Sequence, residues 1–338
     1  MIEKAKSVLR RNKILYRIKK SYDTKKHLCL LYIRGSERHT KIVCEKQFKR
    51  HFKKHLDLEN PRSFSEKIQY LKLLVFPKSE LVGKLADKYG VRSYVEEKGL
   101  SDILIPLVGV YNRVEEIPFN RLPKSFVAKK SNAAGYNLIV KDKDKVNDDF
   151  FRKKLDEFLE KDFGKLSSER HYSKGLNKII IEPFLEIDSD YKFFVLKGEV
   201  EFCQALSKSF NDTITLGFEV GGGSNGEGSA YKVYYDRNGE PVFPETIRGE
   251  EVTLPDEYGE MVRISEILGA DFPFVRIDLY VIKGGIYLSE MTFTPAGGYN
   301  NYFKEEWQKR LGDLLDLTDL SPYFAEEEED MNSNDYEV

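Results

Sequence analysis

Cysteine and histidine are scarce in this sequence of 338 residues, which limits the metal sites and covalent chemistry that it can carry. The three cysteines, Cys29, Cys44 and Cys203, are odd in number, and their spacings match no zinc or redox motif. We therefore expect free thiols in a reducing compartment. Of the five histidines, His51 and His55 are four residues apart and could share a helix face. No cysteine or glutamate completes a ligand pattern around them, so a solvated basic face is the preferred interpretation.

Long apolar runs are also missing. The run over 28–33 is far shorter than the roughly 20 apolar residues that a membrane-spanning helix needs. The N-terminus is basic, but no apolar stretch with a small-residue cleavage site follows it. We expect a cytoplasmic protein without a membrane span or a signal peptide, and association with the membrane would have to be peripheral.

Charges of opposite sign are concentrated at the two ends, although the formal net charge is only −2. Residues 1–60 hold 18 Lys and Arg against 6 Asp and Glu, whereas residues 321–338 hold 7 acids and no bases. The basic end suits an anionic membrane surface, an acidic glycan or a protein of the same pathway, and a solvated helical extension is the alternative. No nucleic acid is expected, because no nucleic-acid-binding module is recognisable. The acidic tail is expected to be disordered.

Apolar spacing predicts helices first and mainly strands after residue 103. Ser63 and Glu66 form a capping-box pattern that starts one helix, and another helix is predicted over 79–98. Because strands then follow in hairpins and do not alternate regularly with helices, the pattern favours an α+β fold over a Rossmann domain. The glycine-rich segment 220–230 is predicted to be a mobile loop, with a substrate lid as the alternative. The remaining predicted strands are 103–110, 126–129, 138–141, 178–181, 191–196, 199–206, 231–235, 274–280 and 286–291, and the remaining helices are 148–163, 256–268 and one around Trp307.

The most informative stretch is the predicted hairpin 274–290. Arg276 and Asp278 are two residues apart on its first strand and therefore share one face, and Glu290 follows near the end of the second strand. Two carboxylates on neighbouring strands repel each other unless a cation lies between them, and Mg²⁺ takes few protein oxygens together with phosphate oxygens. Arg276 could neutralise a transferring phosphoryl group. An exposed polar face on an ordinary hairpin is the alternative.

Two further segments gain meaning from their order in the chain. Lys129 ends an apolar strand and precedes a small-residue loop over 131–137, whose N–H groups could fold over phosphates. A buried strand over 179–181 runs into Glu182 and Pro183, and such an edge could offer backbone hydrogen bonds to adenine. Taken alone, the first segment is better interpreted as a plain β-hairpin, and the second carries little information.

The order of these elements resembles the ATP-grasp superfamily, and more closely the TupA-like ATP-grasp proteins, named for a teichuronopeptide biosynthesis protein. The resemblance covers about residues 58–315. It depends on several motifs that recur in order, namely Asn60–Gln69 (NPRSFSEKIQ), Leu85–Arg92 (LADKYGVR), Gly135–Val140 (GYNLIV), Asp190–Phe194 (DYKFF), Phe272–Tyr280 (FPFVRIDLY) and Glu290–Pro295 (EMTFTP).

This resemblance implies an ATP-grasp fold, in which two α+β subdomains grip ATP, preceded here by a helical N-terminal region. It implies that Asp278 and Glu290 hold Mg²⁺, with Thr292 at the position where many members have Asn, and that Arg276 and Lys192 neutralise the reacting phosphoryl group. The nucleotide-binding positions that it implies are Lys88 and Lys129 on the phosphates, Gly135 in the phosphate-covering loop and Glu182 in the adenine hinge. That loop has fewer glycines than is usual in the family, which favours a stiffer cover.

The predicted organisation has five parts: a basic helical extension over 1–59, a helical region over 60–125, a small subdomain over 126–185, a large subdomain with the metal site over 186–320 and an acidic tail over 321–338. The segment Thr294–Asn301, directly after the proposed metal ligands, is interpreted as an acceptor loop, with a structural turn as the alternative.

The chemistry that the resemblance implies is activation of a carboxylate as an acyl phosphate, followed by attack of an amine. The expected acceptors are uronic acids, amino acids or peptides of cell-surface polysaccharide synthesis. A kinase acting on a sugar or glycan hydroxyl needs the same ATP site and remains an alternative. A non-catalytic ATP-binding module that docks through residues 1–59 is the third.

Overall fold

The protein is described here from a computed structural model, which describes residues 36–187, 189–207, 232–242, 254–300 and 303–324. The first part of the predicted basic extension, the glycine-rich segment 220–230 and the acidic run from residue 326 lie outside these ranges. None of the described helices is long and apolar enough to span a membrane.

The described part of the basic region is helix α1, Glu37–Phe52. It begins at Ser36, whose hydroxyl accepts a hydrogen bond from the His39 amide, and it ends at Lys53, which has the left-handed φ of 59°. Cys44 and Phe48 are fully buried on one side of the helix, so this segment packs against the rest of the protein. The predicted shared helix face of His51 and His55 is wrong, because His55 lies beyond the end of the helix.

Helix α2, Phe64–Tyr70, begins with the predicted capping box. The Ser63 hydroxyl accepts from the Glu66 amide, and the Glu66 carboxylate accepts from the Ser63 amide at 2.9 Å. The chain continues as one π-helical turn over Leu71–Val75 and a short 3₁₀ turn over Phe76–Lys78.

The helix predicted over 79–98 is in fact two helices, α3 (Glu80–Ala86) and α4 (Val91–Glu97). The break falls at Asp87, which has an extended backbone conformation. Its carboxylate oxygen Oδ1 accepts from the amides of Tyr89 and Gly90 at 2.8 and 3.0 Å, which satisfies the donors that start the next turn. The uninterrupted helix was therefore a wrong prediction.

A four-stranded antiparallel sheet follows, formed by β1 (Gly109–Tyr111), β2 (Phe126–Lys130), β3 (Asn137–Val140) and β4 (Ile179–Pro183) in the order β1-β4-β2-β3. Helices α5 (Asp148–Leu159) and α6 (Phe163–Ser167) lie between β3 and β4 in the chain, and Phe151, Leu155 and Phe158 of α5 join the core of this sheet. The predicted strand 103–110 is largely wrong, because Ser101–Ile103 is a 3₁₀ turn and pairing with β4 begins at Gly109.

The second part of the chain forms a six-stranded sheet and two helices. The strands are β5 (Ser189–Leu196), β6 (Glu199–Ser207), β7 (Lys232–Tyr235), β8 (Pro241–Val242), β9 (Phe274–Ile282) and β10 (Gly285–Thr292), and the helices are α7 (Tyr258–Gly269) and α8 (Glu305–Leu314). The strands are antiparallel, in the order β10-β9-β5-β6-β7-β8. The larger hydrophobic core forms around this sheet and includes residues from α2, α3, α4, α7 and α8.

Helices together with two antiparallel sheets confirm the predicted α+β class. The five-part division of the chain remains a prediction. Strand β1 lies before the predicted small subdomain, 126–185, yet it pairs with β4 inside the same sheet.

Two helical glycines are expected to respond to alanine in opposite directions. A Cβ atom at Gly312 in α8 would overlap the Arg62 carbonyl oxygen and lie 3.0 Å from the Phe64 amide, whereas a Cβ at Gly259 in α7 would meet nothing within 4 Å. Gly312→Ala should therefore lower the free energy of unfolding by about 1–3 kcal/mol through overpacking. Gly259→Ala should raise it by up to about 1 kcal/mol through helix propensity. Urea unfolding of both variants checks the pair, and a stabilised Gly312→Ala would contradict the close contact of α8 with the start of α2.

Candidate active site

The three residues Glu290, Asp278 and Lys192 lie in one row across three neighbouring strands of the six-stranded sheet. Glu290 on β10 is the register partner of Asp278 on β9, and Asp278 is the register partner of Lys192 on β5. The register shifts between Leu288 and Glu290, so the second carboxylate is set by an irregularity in the strand. The hairpin therefore brings the two predicted carboxylates side by side, as the sequence indicated.

Asp278 is the centre of the ion pairs in this row, and its side chain is 1% exposed. The Arg276 guanidinium contacts both of its oxygens, with Nε 2.6 Å from Oδ1 and a terminal nitrogen 2.7 Å from Oδ2. The Lys192 ammonium lies 2.7 Å from the same Oδ2 and 2.8 Å from Asp190 Oδ2. Such charge-assisted, bidentate contacts hold both the position and the orientation of a carboxylate.

Glu290 is held by a second set of contacts. Its Oε1 lies 3.3 Å from the Arg276 guanidinium and accepts from the Thr292 hydroxyl at 3.1 Å, while Oε2 lies 3.3 Å from the Lys88 ammonium. Arg276 also donates to the Thr292 hydroxyl at 3.1 Å. Thr292, which stands where Asn was expected, thus lies between the guanidinium and the carboxylate.

Lys88 connects this cluster to the four-stranded sheet. Besides approaching Glu290, its ammonium donates to the Ala133 carbonyl oxygen at 2.8 Å, in the small-residue loop between β2 and β3. Asp87, which the sequence analysis did not single out, fixes this junction, since its Oδ2 accepts from the Ser131 hydroxyl at 2.7 Å and the Leu176 amide at 2.8 Å. Its place in the Leu85–Arg92 motif was the signal that could have indicated it.

The local charges determine how these groups ionise. Burial would raise the pKa of Glu290, but Lys88, Arg276 and Lys192 outweigh it and hold that pKa at about 2. Burial likewise opposes the charge on Lys192, yet Asp190 and Asp278 raise its pKa above the usual value. For Asp278, burial raises the pKa, while Arg276 and Lys192 act in the opposite direction. The cluster therefore holds three cations against three carboxylates, Asp190, Asp278 and Glu290.

The predicted nucleotide residues of the four-stranded sheet form a separate pair. The Lys129 ammonium lies 2.5 Å from Glu182 Oε2, across the neighbouring strands β2 and β4. Both side chains are mostly buried. Gly135 lies at the tip of the loop after β2, is exposed, and has the left-handed φ of 75° that favours glycine.

The loop after β10 is fixed by side chains that the sequence analysis missed. Ala296, Gly297 and Gly298 have consecutive positive φ values of 51°, 62° and 79°. The Gly297 carbonyl oxygen accepts from Lys72 at 2.7 Å and from Gln69 at 2.9 Å, and the Lys72 ammonium lies 4.6 Å from the centre of the Tyr299 ring. Gln69 lies in α2 and Lys72 in the π-helical turn that follows it. Both donors are more than 220 residues away from Gly297 in sequence, so only tertiary structure reveals them.

The side chains suit magnesium. Asp278 and Glu290 offer hard carboxylate oxygens, with the Thr292 hydroxyl beside them. Among the described residues, no group of three or more His, Cys, Asp or Glu is arranged to hold a metal ion by itself. Mg²⁺ commonly takes one or two carboxylates and completes its coordination with phosphates and water. Because cations of the protein already contact both carboxylates, a metal ion would have to displace them.

A protein-family model matches most of the chain. The model of the TupA-like ATP-grasp family matches residues 66–214 and 225–316. A comparison with curated proteins finds no match.

Solved structures with a similar fold include D-alanine–D-alanine ligase from Bacillus anthracis, at 15% identity and a TM-score of 0.38, with 69% of this chain and 66% of that chain covered. L-amino acid ligase from Bacillus licheniformis matches at 15% identity and a TM-score of 0.47, with 82% and 62% covered. D-alanine–D-alanine ligase from Helicobacter pylori matches at 17% identity and 0.38, with 76% and 68% covered. The chain thus spans about two thirds of the length of these proteins, and similarity at this level does not indicate a substrate.

Proposed function

Because the chain belongs to the TupA-like ATP-grasp family, we propose that it is an ATP- and Mg²⁺-dependent ligase that joins a carboxylate to an amine. The observation that carries the proposal is the neutral cluster around Asp278. Lys88 connects this cluster to the loop between β2 and β3. Of the implied nucleotide residues, Gly135 lies in that loop, Lys129 lies near the end of β2 just before it, and Glu182 lies on the neighbouring strand β4.

The ion pairs within the cluster could be replaced by contacts with Mg²⁺ and with the nucleotide. Lys88, Lys192 and Arg276 each contact a carboxylate, and these contacts leave no net charge in the cluster. With Mg²⁺ held by Asp278 and Glu290, the three cations would be free to contact an anionic triphosphate. The opposite charges of the metal and the nucleotide partly offset each other at this buried site, which favours binding of the two together. Mg²⁺, when bound, supplies charge neutralisation at the phosphate oxygens.

The residues of the chain then have distinct tasks. Arg276 and Lys192 neutralise the phosphoryl group while an oxygen of the substrate carboxylate attacks the γ-phosphorus and the bond to the ADP oxygen breaks. The resulting acyl phosphate is attacked by the amine nitrogen, so that a C–N bond forms, phosphate leaves with the electron pair of the broken C–O bond, and the amine proton passes to solvent or phosphate. No protein nucleophile is needed, since the chemistry depends on positioning and electrostatics.

The acceptor class is the finer part of the proposal. The resemblance to proteins of cell-surface polysaccharide pathways supports a uronic acid, amino acid or peptide as the carboxylate. Lys and Arg side chains are exposed along α1, for example at Lys46, Lys49 and Arg50, and they support an anionic partner. For a cytoplasmic enzyme this partner would be an acidic glycan or the surface of the membrane.

The test is to incubate the full chain with ATP and Mg²⁺ and a panel of uronic acids, amino acids and neutral sugars, and to quantify ADP, AMP and free phosphate. ADP and phosphate should appear in equal amounts, and only when a carboxylate and an amine are both present. ADP without free phosphate, formed with a neutral sugar alone, would identify the kinase alternative. ATP binding without any turnover would identify a non-catalytic module.

A further inference from the structure

The carboxylate of Glu169 lies beside the proposed active site and is not used by the chemistry described above. Glu169 follows Ser168, whose left-handed φ of 66° ends helix α6, and its amide donates to the Gly164 carbonyl oxygen at 2.9 Å. Its Oε1 accepts from the Thr294 hydroxyl at 2.5 Å. Thr294 is buried and is two residues beyond Thr292, in the loop that follows β10. Glu169 therefore touches the loop that leaves the metal-binding strand.

The charge environment of Glu169 differs from that of its neighbours. Asp190, Asp278, Glu290 and Glu182 each have an ammonium or guanidinium group within 4.0 Å. Glu169 has no such ion pair among the described residues. The residue as a whole is only partly buried. A carboxylate in this position is a site for a positively charged group that comes from outside the chain.

Burial and two more distant charges, those of Lys72 and Glu290, act on the pKa of Glu169. Burial raises the pKa of Glu169, and the negative charge of Glu290 adds to that effect. Lys72 is fully buried and already donates to the Gly297 carbonyl oxygen, so it supports the loop and does not cover Glu169 directly. The segment that follows Glu169 contacts the loop between β2 and β3, since the Asn132 side-chain amide donates to the Tyr172 carbonyl oxygen at 2.9 Å.

We propose that Glu169, held by Thr294, binds the ammonium group of the amine substrate and so selects a cationic primary amine as the second substrate. This inference builds on the proposed ligase function, because an amine bound here lies next to the loop that follows Glu290. The ammonium passes one proton to the Glu169 carboxylate or to solvent, and the free amine nitrogen then attacks the acyl phosphate; its second proton leaves once the C–N bond has formed. An ammonium group has only donors, and it therefore complements a carboxylate that accepts from a hydroxyl group and has no cation within 4.0 Å in the described part of the chain.

The experiment measures binding, so that it does not depend on turnover. The full chain with Mg²⁺ and a non-hydrolysable ATP analogue is titrated with glycinamide, a primary ammonium, and with glycolamide, in which a hydroxyl replaces the amine. The wild type should bind glycinamide at least about tenfold more tightly, as expected for a charge-assisted hydrogen bond. Glu169→Gln should abolish this preference, and the matched exposed change Glu160→Gln should retain it.

Thr294→Val keeps the charge of Glu169 and should weaken the preference for glycinamide over glycolamide by a smaller factor. This variant provides the test if circular dichroism shows that Glu169→Gln does not fold. A wild type without the preference, or a folded Glu169→Gln protein that keeps it, would overturn the inference. The second result combined with a weakened Mg²⁺ affinity would make Glu169 a metal ligand instead. If the preference is found but no carboxylate and amine pair gives turnover, the ligase proposal fails while the amine site stands.

Discussion

Asp278→Asn and Glu290→Gln should each reduce ATP turnover by about a thousandfold, because a metal ion that loses a carboxylate no longer stabilises the transferring phosphoryl group by several kcal/mol. Both changes keep the shape of the side chain and remove its charge. The effect should be largest at Asp278, which is the more buried of the two and contacts both Arg276 and Lys192. The rate of ADP release is measured with the carboxylate and amine pair that the wild type uses fastest.

The control for Asp278→Asn is Asp313→Asn, which alters an exposed carboxylate paired with Lys309 in α8. It should leave the rate unchanged. Circular dichroism and thermal unfolding establish that the variants fold, with some loss of stability expected for Asp278→Asn, since it leaves the Arg276 and Lys192 charges without their main partner. Full activity in a folded Asp278→Asn or Glu290→Gln protein would refute the metal site.

Arg276 should matter more for the chemical step than for nucleotide affinity. Its guanidinium contacts Asp278, Glu290 and Thr292 at once, and only a planar fork can make these contacts together. We expect Arg276→Met to lower kcat by about a hundredfold to a thousandfold, the range found when a group that stabilises transition-state charge is removed. The Kd of ATP should change by much less, and this is measured by titration calorimetry.

Arg276→Lys separates charge from geometry at this position. It keeps the positive charge but loses the bidentate contact, so kcat should still fall by at least about tenfold. Arg263→Lys is the matched control, because Arg263 makes a similar contact with Glu260 on the exposed surface of α7. If Arg276→Lys had the activity of the wild type, the guanidinium would be needed for its charge alone. If Arg276→Met raised the Kd of ATP as much as it lowered kcat, its role would be binding.

The hairpin of β9 and β10 could be predicted because local rules determine most of it. Strand alternation puts Arg276 and Asp278 on one face, and the two-residue turn at Lys283 and Gly284, with φ of 51° and 79°, sets the initial pairing of β9 with β10. That pairing alone would place Glu290 opposite Ile277, and the register shift between Leu288 and Glu290, which the sequence did not indicate, brings Glu290 opposite Asp278. The same reasoning gave strand β2 with Lys129 near its end and most strands of the larger sheet.

The parts that sequence analysis missed depend on contacts between distant segments. The apolar spacing predicted one helix that continues past Asp87. The nearby sequence does not show that the Asp87 carboxylate accepts hydrogen bonds from Ser131 and Leu176, which are 44 and 89 residues away. Lys72 was not singled out from the sequence, yet it is fully buried and donates to the Gly297 carbonyl oxygen. Glu169 lies in a short connection without periodicity, and its importance appears only when Thr294 is placed beside it. Polar residues of this kind are positioned by the tertiary fold.

The central claim is that Asp278 and Glu290 exchange the cations of the protein for Mg²⁺ when ATP binds. The direct test is titration calorimetry of the wild type and Asp278→Asn with ATP, each with and without Mg²⁺. We predict that Mg²⁺ strengthens ATP binding clearly in the wild type and little in Asp278→Asn. ATP binding that is indifferent to Mg²⁺ in the wild type, or strengthened equally in both proteins, would contradict the claim.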